Sequence, residues 1–361
     1  MSKSFFHNAS YNPNKATKRF EFDIRDADLA IVNGIRRVIH AEIPILGFMG
    51  EEDVSILIHK NNGPLHNEFM QHRIGMLPIH FTEEEIEGFV ENEYVFTCDI
   101  KNADMSLLKV TTEHIKGTRN GVAFTEKELL RLFPIDEITK QRVLITRLRQ
   151  NEELSFIATV VKSTAKVHSA FSPVSLCAFF FNETEEAKDV LNILDKERMY
   201  KKNSFGDPTD IHFTIETETS LTPKYLIAKA LEILISKVNI VHSELDVVES
   251  TKVRVTANTT MNDTFDILVD DEDDTLGNLI QSVVYSHYIR ANKQVLNNKY
   301  DMSYIGYYAP HPLEKNIVIR MTLKHANASI DEKDFIMAMK ECCRLVDQQL
   351  REMLDDWIRF V

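Results

Sequence analysis

Hydrophobic and polar positions alternate first at residues 19 to 25, RFEFDIR, where Phe20, Phe22 and Ile24 are separated by charged neighbours; this is the period of a half-buried strand. Acidic Asp26 and Asp28 precede LAIVNGIRRVI, in which Leu29, Val32, Ile35 and Ile39 recur at helical spacing. An Asp suits the N-cap of that helix, and Pro44 stops it. Alternation returns at 211 to 215, IHFTI, followed by Thr222 as a cap and Pro223 at the first helical position. The helix so begun carries Ile227, Leu231, Leu234 and Val238 on one face. Strands are predicted at Val253 to Ala257 and Phe265 to Val269, flanking the turn-rich NTTMND.

In DDTLGNLIQSVVY, the stripe Leu276, Leu279, Ile280, Val283 and Val284 predicts a further amphipathic helix. A strand over 317 to 323 leads to Ser329-x-x-Glu332, a capping-box pattern, and a helix running almost to the last residue. Its stripe is Phe335, Met339, Cys342, Val346, Leu350, Met353 and Trp357. At roughly 25 to 30 residues this helix is about 40 Å long, too long for one small domain to cover, so it should pack against a partner element.

Between 49 and 205 the pattern is mixed, with turn signals at Asn62-Gly63-Pro64 and Asn120-Gly121 and an acidic stretch from Glu83 to Glu87. It reads as an inserted domain, and Glu85→Ala in the acidic stretch should be nearly silent. The halves flanking it share an order of elements: alternating strand, acidic cap, and a helix containing N-x-I-x-x-V. The motif is Asn33, Ile35 and Val38 in the first copy and Asn278, Ile280 and Val283 in the second, an offset of 278 − 33 = 245. The boundary between halves falls near 240 to 252.

A chain of 361 residues with 43% hydrophobic and 27% charged residues has room for two or three globular domains. The net charge of −13 argues against gripping nucleic acid by phosphate neutralisation. Cys98, Cys177, Cys342 and Cys343 contain no C-x-x-C pair, which points to buried thiols in a reducing compartment. The start MSKSFFHNAS lacks a secretory apolar stretch and no run of about 18 apolar residues occurs, so a soluble intracellular protein is expected.

Candidate chemistry is sparse. The acidic run Asp270, Asp271, Glu272, Asp273 and Asp274 lacks the spacing of a calcium loop and reads as a solvated turn favouring a helix N-terminus. His72 and Arg73 have no Ser or Cys nearby to complete a nucleophile arrangement; Arg73 suits packed carbonyls or a docking partner. Arg36 and Arg37 fall on the flank of the first helix, and Gly306, Pro310 and Pro312 read as a shaped turn. Neither amphipathic helix is basic enough for a free-standing sequence-specific DNA regulator.

DADLAIVNGIRRVIHAEIPIL, followed by NEFMQHRIGMLPI at 67 to 79, resembles the dimerisation motif of the bacterial alpha subunit, the archaeal D subunit and the third-largest subunit of eukaryotic RNA polymerase II. ELSFIATVVKSTAKVHSAFSPV resembles the return from that family's inserted domain. DDEDDTLGNLIQSVVY and GYYAPHPLEKNIVIRMTL resemble the archaeal L subunit and its eukaryotic counterpart, over nearly all of 264 to 357. The resemblance implies an α+β fold: two alpha-like dimerisation units of antiparallel sheet plus helices, paired within one chain, with a mostly-β insert in the first. The units would span 1–48 with 206–245, and 246–361, around an insert at 49–205.

By the same resemblance the protein is a non-catalytic assembly platform of a multisubunit DNA-dependent RNA polymerase, binding the two largest subunits and small core subunits and meeting DNA only through the complex, with no membrane partner. A free-standing regulatory or scaffold protein of transcription is the alternative. The implied interface comprises Leu29, Val32, Asn33, Ile35, Arg36, Arg37 and Ile39; His72 and Arg73; Leu276, Asn278, Leu279, Ile280 and Val283; and Phe335, Met339, Val346, Leu350 and Trp357. The family's zinc or iron–sulfur cysteines are missing from the insert, which has only Cys98 and Cys177, so no metal or other cofactor is expected. Fusion of two such subunits is similar to what some nucleocytoplasmic large DNA viruses carry; the expected setting is host cytoplasm and virion, with the nucleus as alternative.

Overall fold

A computed structural model describes residues 4–11, 19–50, 55–136, 138–196, 198–217, 219–247, 250–296, 299–324 and 330–360. β1 (Phe6–Tyr11) pairs antiparallel with β2 (Arg19–Arg25). Asp26 then turns the chain at φ 52°, a left-handed conformation that Asp tolerates better than most residues. Asp28 caps α1 (Leu29–Ala41), accepting the N–H of Ala30 at 2.8 Å. β3 (Ile45–Gly47) leads to β4 (Ile56–Asn61), α2 (Asn67–Gly75), α3 (Glu83–Glu87), β5 (Tyr94–Lys101), β6 (Leu108–Thr111), β7 (Lys116–Arg119), β8 (Val122–Ala123), α4 (Glu126–Leu132), β9 (Leu144–Leu148) and β10 (Glu153–Thr159). The return runs through β11 (Val161–Ser163), β12 (Val174–Phe181), α5 (Ile193–Lys196), β13 (Asp210–Thr217) and α6 (Pro223–Glu244), which Thr222 caps with Pro223 in its first turn. The second unit comprises β14 (Val253–Ala257), β15 (Thr264–Asp270), α7 (Asp274–Val284), β16 (Gln294–Val295), β17 (Tyr300–Tyr308), β18 (Asn316–Lys324) and α8 (Glu332–Phe360).

The sheets are ordered β1-β2-β13-β12 and β14-β15-β18-β17-β16, with all pairs antiparallel. The first four strands of each correspond one to one. Adding 245 to the bounds of β2 gives those of β15 (19 + 245 = 264, 25 + 245 = 270). The same offset takes left-handed Asp26 to left-handed Asp271, φ 60°, and the cap Asp28 to the cap Asp273. The repeat therefore reaches well beyond the matched Asn, Ile and Val.

The insert has its own antiparallel sheet, β4-β10-β5-β7-β8, and the pair β6-β9. Its β7–β8 hairpin turns on Asn120 and Gly121 at φ 49° and 80°, the positive values a two-residue turn needs. One expectation is corrected. Val174–Phe181 falls within 49–205, yet β12 pairs with β13 across Phe179↔Phe213 and belongs to the first unit's sheet. His40 of α1 fastens it by hydrogen bonding the Cys177 carbonyl at 3.0 Å. VSLCAFFF has no clean alternation and finds its partner only after the α5 excursion, so its local pattern does not reveal its sheet.

All seven stripe residues of α8 are buried, as are the five of α7. Ser329 lies outside the described residues; Glu332 is the first helical position, and Asp331 accepts the N–H of Asp334 at 2.8 Å. Beyond Val284, α7 continues as a wider π-type turn through Tyr285–Arg290. No described helix is long and apolar enough to cross a membrane.

Candidate assembly interface between the two units

Gly34 lets α1 approach α6 and α7 closely, while Gly277 lets α7 lie on its own sheet. A Cβ on Gly34 would lie 3.4 Å from Leu234 of α6 and 3.9 Å from Thr275 of α7, so the three helices meet at this glycine. Gly277 is tighter still: its Cβ would lie 2.5 Å from the Tyr307 ring of β17. Val32, Ile35, Val38, Ile39, Leu276, Leu279, Ile280 and Val283 are buried, and each contributes about 1.5–3 kcal/mol in removal from water. Leu29, at the helix start, is only half-buried and borders an open cleft. Asn33, Arg37, Asn278 and Tyr307 line a polar cavity of about 280 Å³ where the helices meet.

Polar contacts repeat across this junction with the offset of the fold. Asp28 accepts the Ser282 hydroxyl at 2.8 and 2.9 Å on its two oxygens. In the other direction Arg37 reaches Asp273 at 3.9 Å. Because 28 + 245 = 273 and 37 + 245 = 282, these are equivalent contacts related by an approximate two-fold arrangement. Arg36 turns back along its own helix and donates to Asn33 at 3.0 Å.

Beside the junction, Lys237 of α6 sits between Glu42 at 2.9 Å and Glu272 at 2.7 Å, with all three side chains at most 16% exposed. Lys166 approaches Asp273 at 3.1 Å and Glu42 at 3.5 Å. Burial works against the Lys237 charge, but the two carboxylates outweigh it and hold its pKa up. Burial raises that of Glu272 despite the ammonium. For Asp273 burial is outweighed by hydrogen bonds from Thr275 and Lys166, which hold it at about 2. The acidic run is thus a cap, as expected, but Glu272 and Asp273 are engaged in an ion cluster and not simply solvated. The cations come from distant elements, which local spacing does not reveal.

The long stripe of α8 is shared: Phe335 stacks on Phe265 of its own unit's β15 at 4.6 Å between ring centres, and further along the helix the first unit covers the stripe. Its helix packs along α6 and reaches β1. Trp357 lies edge-on to Phe6 at 4.8 Å between ring centres and beside Phe22 at 5.2 Å, while its Nε1–H donates to the Lys224 carbonyl at 3.0 Å. Buried Asp356 accepts the N–H groups of Phe5 at 2.6 Å and Phe6 at 3.3 Å. Phe335, Met339, Val346 and Leu350 are buried along the same helix.

His72 and Arg73 lie elsewhere, on α2 of the insert. Arg73 donates to the carbonyls of Ile145 at 2.9 Å and Leu144 at 3.0 Å, the packed-carbonyl role, and His72 is exposed. The glycine after them is required by packing, since a Cβ on Gly75 would lie 2.7 Å from the Gly50 backbone. The acidic stretch forms α3 and is not inert. Thr82 and Glu85 make a capping box, Glu85 takes both amino groups of Arg131 at 2.9 and 2.7 Å, Glu83 accepts the Thr222 hydroxyl at 2.7 Å, and Glu87 meets Tyr225 and Lys229 at 2.7 and 2.6 Å. It fastens the insert to the start of α6, and its sequence signal is Thr82-x-x-Glu85.

Cys98 and Cys177 are buried in separate sheets, and burial pushes each thiol up to about 12. Among the described residues no group of three His, Cys, Asp or Glu side chains is arranged to hold a metal.

A strand, an Asp-capped helix and a longer second helix, met twice and packed together, define a protein with two dimerisation domains on one polypeptide. The chain belongs to the RNA polymerase Rpb3/Rpb11 dimerisation domain family, whose profiles match residues 21–238 and 264–356. It is similar to the DNA-directed RNA polymerase II subunit RPB3 of Schizosaccharomyces pombe, at 26% identity over 63% of this chain and 83% of the relative. It is also similar to the DNA-directed RNA polymerases I and III subunit RPAC1 of Homo sapiens, at 27% identity over 44% of this chain and 50% of that subunit. The archaeal DNA-directed RNA polymerase subunit Rpo3 of Methanobrevibacter smithii matches at 24% identity over 44% of this chain and 53% of its own length.

Proposed function

We propose that this chain is a non-catalytic assembly platform of a multisubunit DNA-directed RNA polymerase, an intramolecular pseudo-heterodimer on which the two largest subunits dock together with small core subunits. The observation that carries the reading is the reciprocal contact of Asp28 with Ser282 and Asp273 with Arg37, which supports taking the α1–α7 junction as a two-fold dimer contact within one polypeptide. The likeness to polymerase subunits supports the choice of complex. The platform needs no cofactor in this reading, and DNA is reached only through the assembled enzyme. Fusion of the two units supports a viral polymerase working in host cytoplasm and carried in the virion, with the nucleus as the alternative compartment.

The test is affinity purification of the tagged chain from its native source. The two largest polymerase subunits should co-purify in stoichiometric amount, and the isolated chain should incorporate no nucleotides on a DNA template. Recovery of the chain without those subunits would favour a regulator outside the core enzyme; polymerisation by the chain alone would overturn the structural role.

A further inference from the structure

The ion cluster beside the junction is unequal in a way the two-fold arrangement does not require. The first unit supplies the cations Arg37 and Lys237, with Lys166 from the segment that leads from β11 back to its sheet, whereas the second supplies Glu272 and Asp273. The offset of 245 puts Ala27 at the first unit's counterpart of Glu272 (272 − 245 = 27). The buried faces of α6 and α8 also superpose in sequence, with Ile227 on Phe335, Leu231 on Met339 and Val238 on Val346, an offset of 335 − 227 = 108. That offset puts Leu345 at the second unit's counterpart of Lys237 (237 + 108 = 345), and a shift of one turn, which keeps the same faces buried, puts Gln349 there (237 + 112 = 349); neither carries a charge.

Each way of pairing like with like therefore loses the central contact. In a pair of first units Lys237 would face Ala27 and keep only Glu42 of its own unit. In a pair of second units the mostly buried carboxylate of Glu272 would face the uncharged flank of Leu345 and Gln349, and Asp273 would meet Ser282 in place of Arg37. A buried charge without its partner is strongly unfavourable, while the same charge paired is close to neutral. Apolar stripes alone do not discriminate in this way, because both units present buried aliphatic residues at corresponding positions.

We propose that the Lys237–Glu272 contact, supported by Lys166 and Arg37 on Asp273, is the element that selects the second unit as partner of the first and rejects the pairing of like with like. This rests on the reading of the chain as two paired units. The stripes supply adhesion; the ion cluster supplies choice.

The test begins with the full chain carrying a protease site within 246–250, folded first and cut afterwards. The cut material is held in mild urea to allow exchange, and native mass spectrometry counts first–second, first–first and second–second pairs. Wild type should keep first–second pairs. Glu272→Lys should lower the preference for them by about tenfold or more, and Lys237→Glu with Glu272→Lys in one chain should restore it. Glu272→Gln, which keeps the shape and drops the charge, should move the preference in the same direction and serves if Glu272→Lys does not fold. Wild-type preference in the Glu272 variants, or no restoration in the charge-reversed chain, would overturn the proposal. Separation of the cut wild-type chain into two folded monomers would instead overturn the paired-unit reading beneath it.

Discussion

Asp28 and Asp273 do the same two jobs on opposite sides of one junction. Each caps a helix through the N–H two residues on, and each reaches across to the position nine residues further along the partner repeat, Asp28 to Ser282 and Asp273 to Arg37. Loss of a cap alone costs about 1 kcal/mol. Asp28→Ala should lower the stability of the chain by about 1–2 kcal/mol in urea unfolding, and Ser282→Ala in the Asp28→Ala background should add little, since the contact is already gone.

Ile35 and Ile280 are buried on the two facing helices. Ile35→Asp or Ile280→Asp buries a carboxylate with no cation beside it and should destabilise by about 3–5 kcal/mol, with loss of large-subunit capture in a pull-down. Normal capture by a folded Ile280→Asp chain would count against the platform.

Two helical glycines should behave differently. The Cβ of Gly277→Ala runs into the base of the Tyr307 ring, 2.7 Å from its Cγ, and should cost about 1–3 kcal/mol. That of Gly34→Ala meets Leu234 at 3.4 Å, so steric cost and the roughly 1 kcal/mol gain in helix propensity nearly offset. Thermal melting of the two variants gives the comparison directly.

Glu85 closes a capping box and holds Arg131 with both oxygens. Glu85→Ala should cost about 1–2 kcal/mol, read as earlier protease cleavage within the insert. An unchanged cleavage profile would agree instead with the nearly silent substitution expected from the sequence.

Asp273 carries a pH dependence. Its folded pKa of about 2 lies below the ordinary 3.8, so the folded state holds the charged form more strongly than the unfolded chain does. Its contribution is complete above about pH 5 and is lost as pH falls through 3.8 towards 2. Glu272, whose pKa is raised, works in the opposite direction just above its ordinary 4.5. Between pH 5 and pH 2 the urea midpoint of Asp273→Asn should therefore fall less than that of wild type.

Much of the fold is written locally. Phe335 to Trp357 declare a helix and its buried face by spacing alone, and Asp28, Thr222 and Pro223 mark helix starts where the backbone begins them. What local pattern leaves open is pairing over distance. β12 reads as a featureless apolar run because its place depends on β13, and the engagement of Glu272 depends on Lys237, 35 residues earlier on another element. The interface was legible as apolar faces and illegible as charge, since periodicity reports which side of a helix is dry but not which cation crosses to it.

Between the end of α6 and the start of β14 the chain has 253 − 245 = 8 residues. A tether this short holds the two units at an effective concentration on the order of millimolar, far above that of a free subunit in a cell. Dilution then has no hold on the junction, and one message yields both units in equal number. Contact between the units becomes a matter of folding one chain.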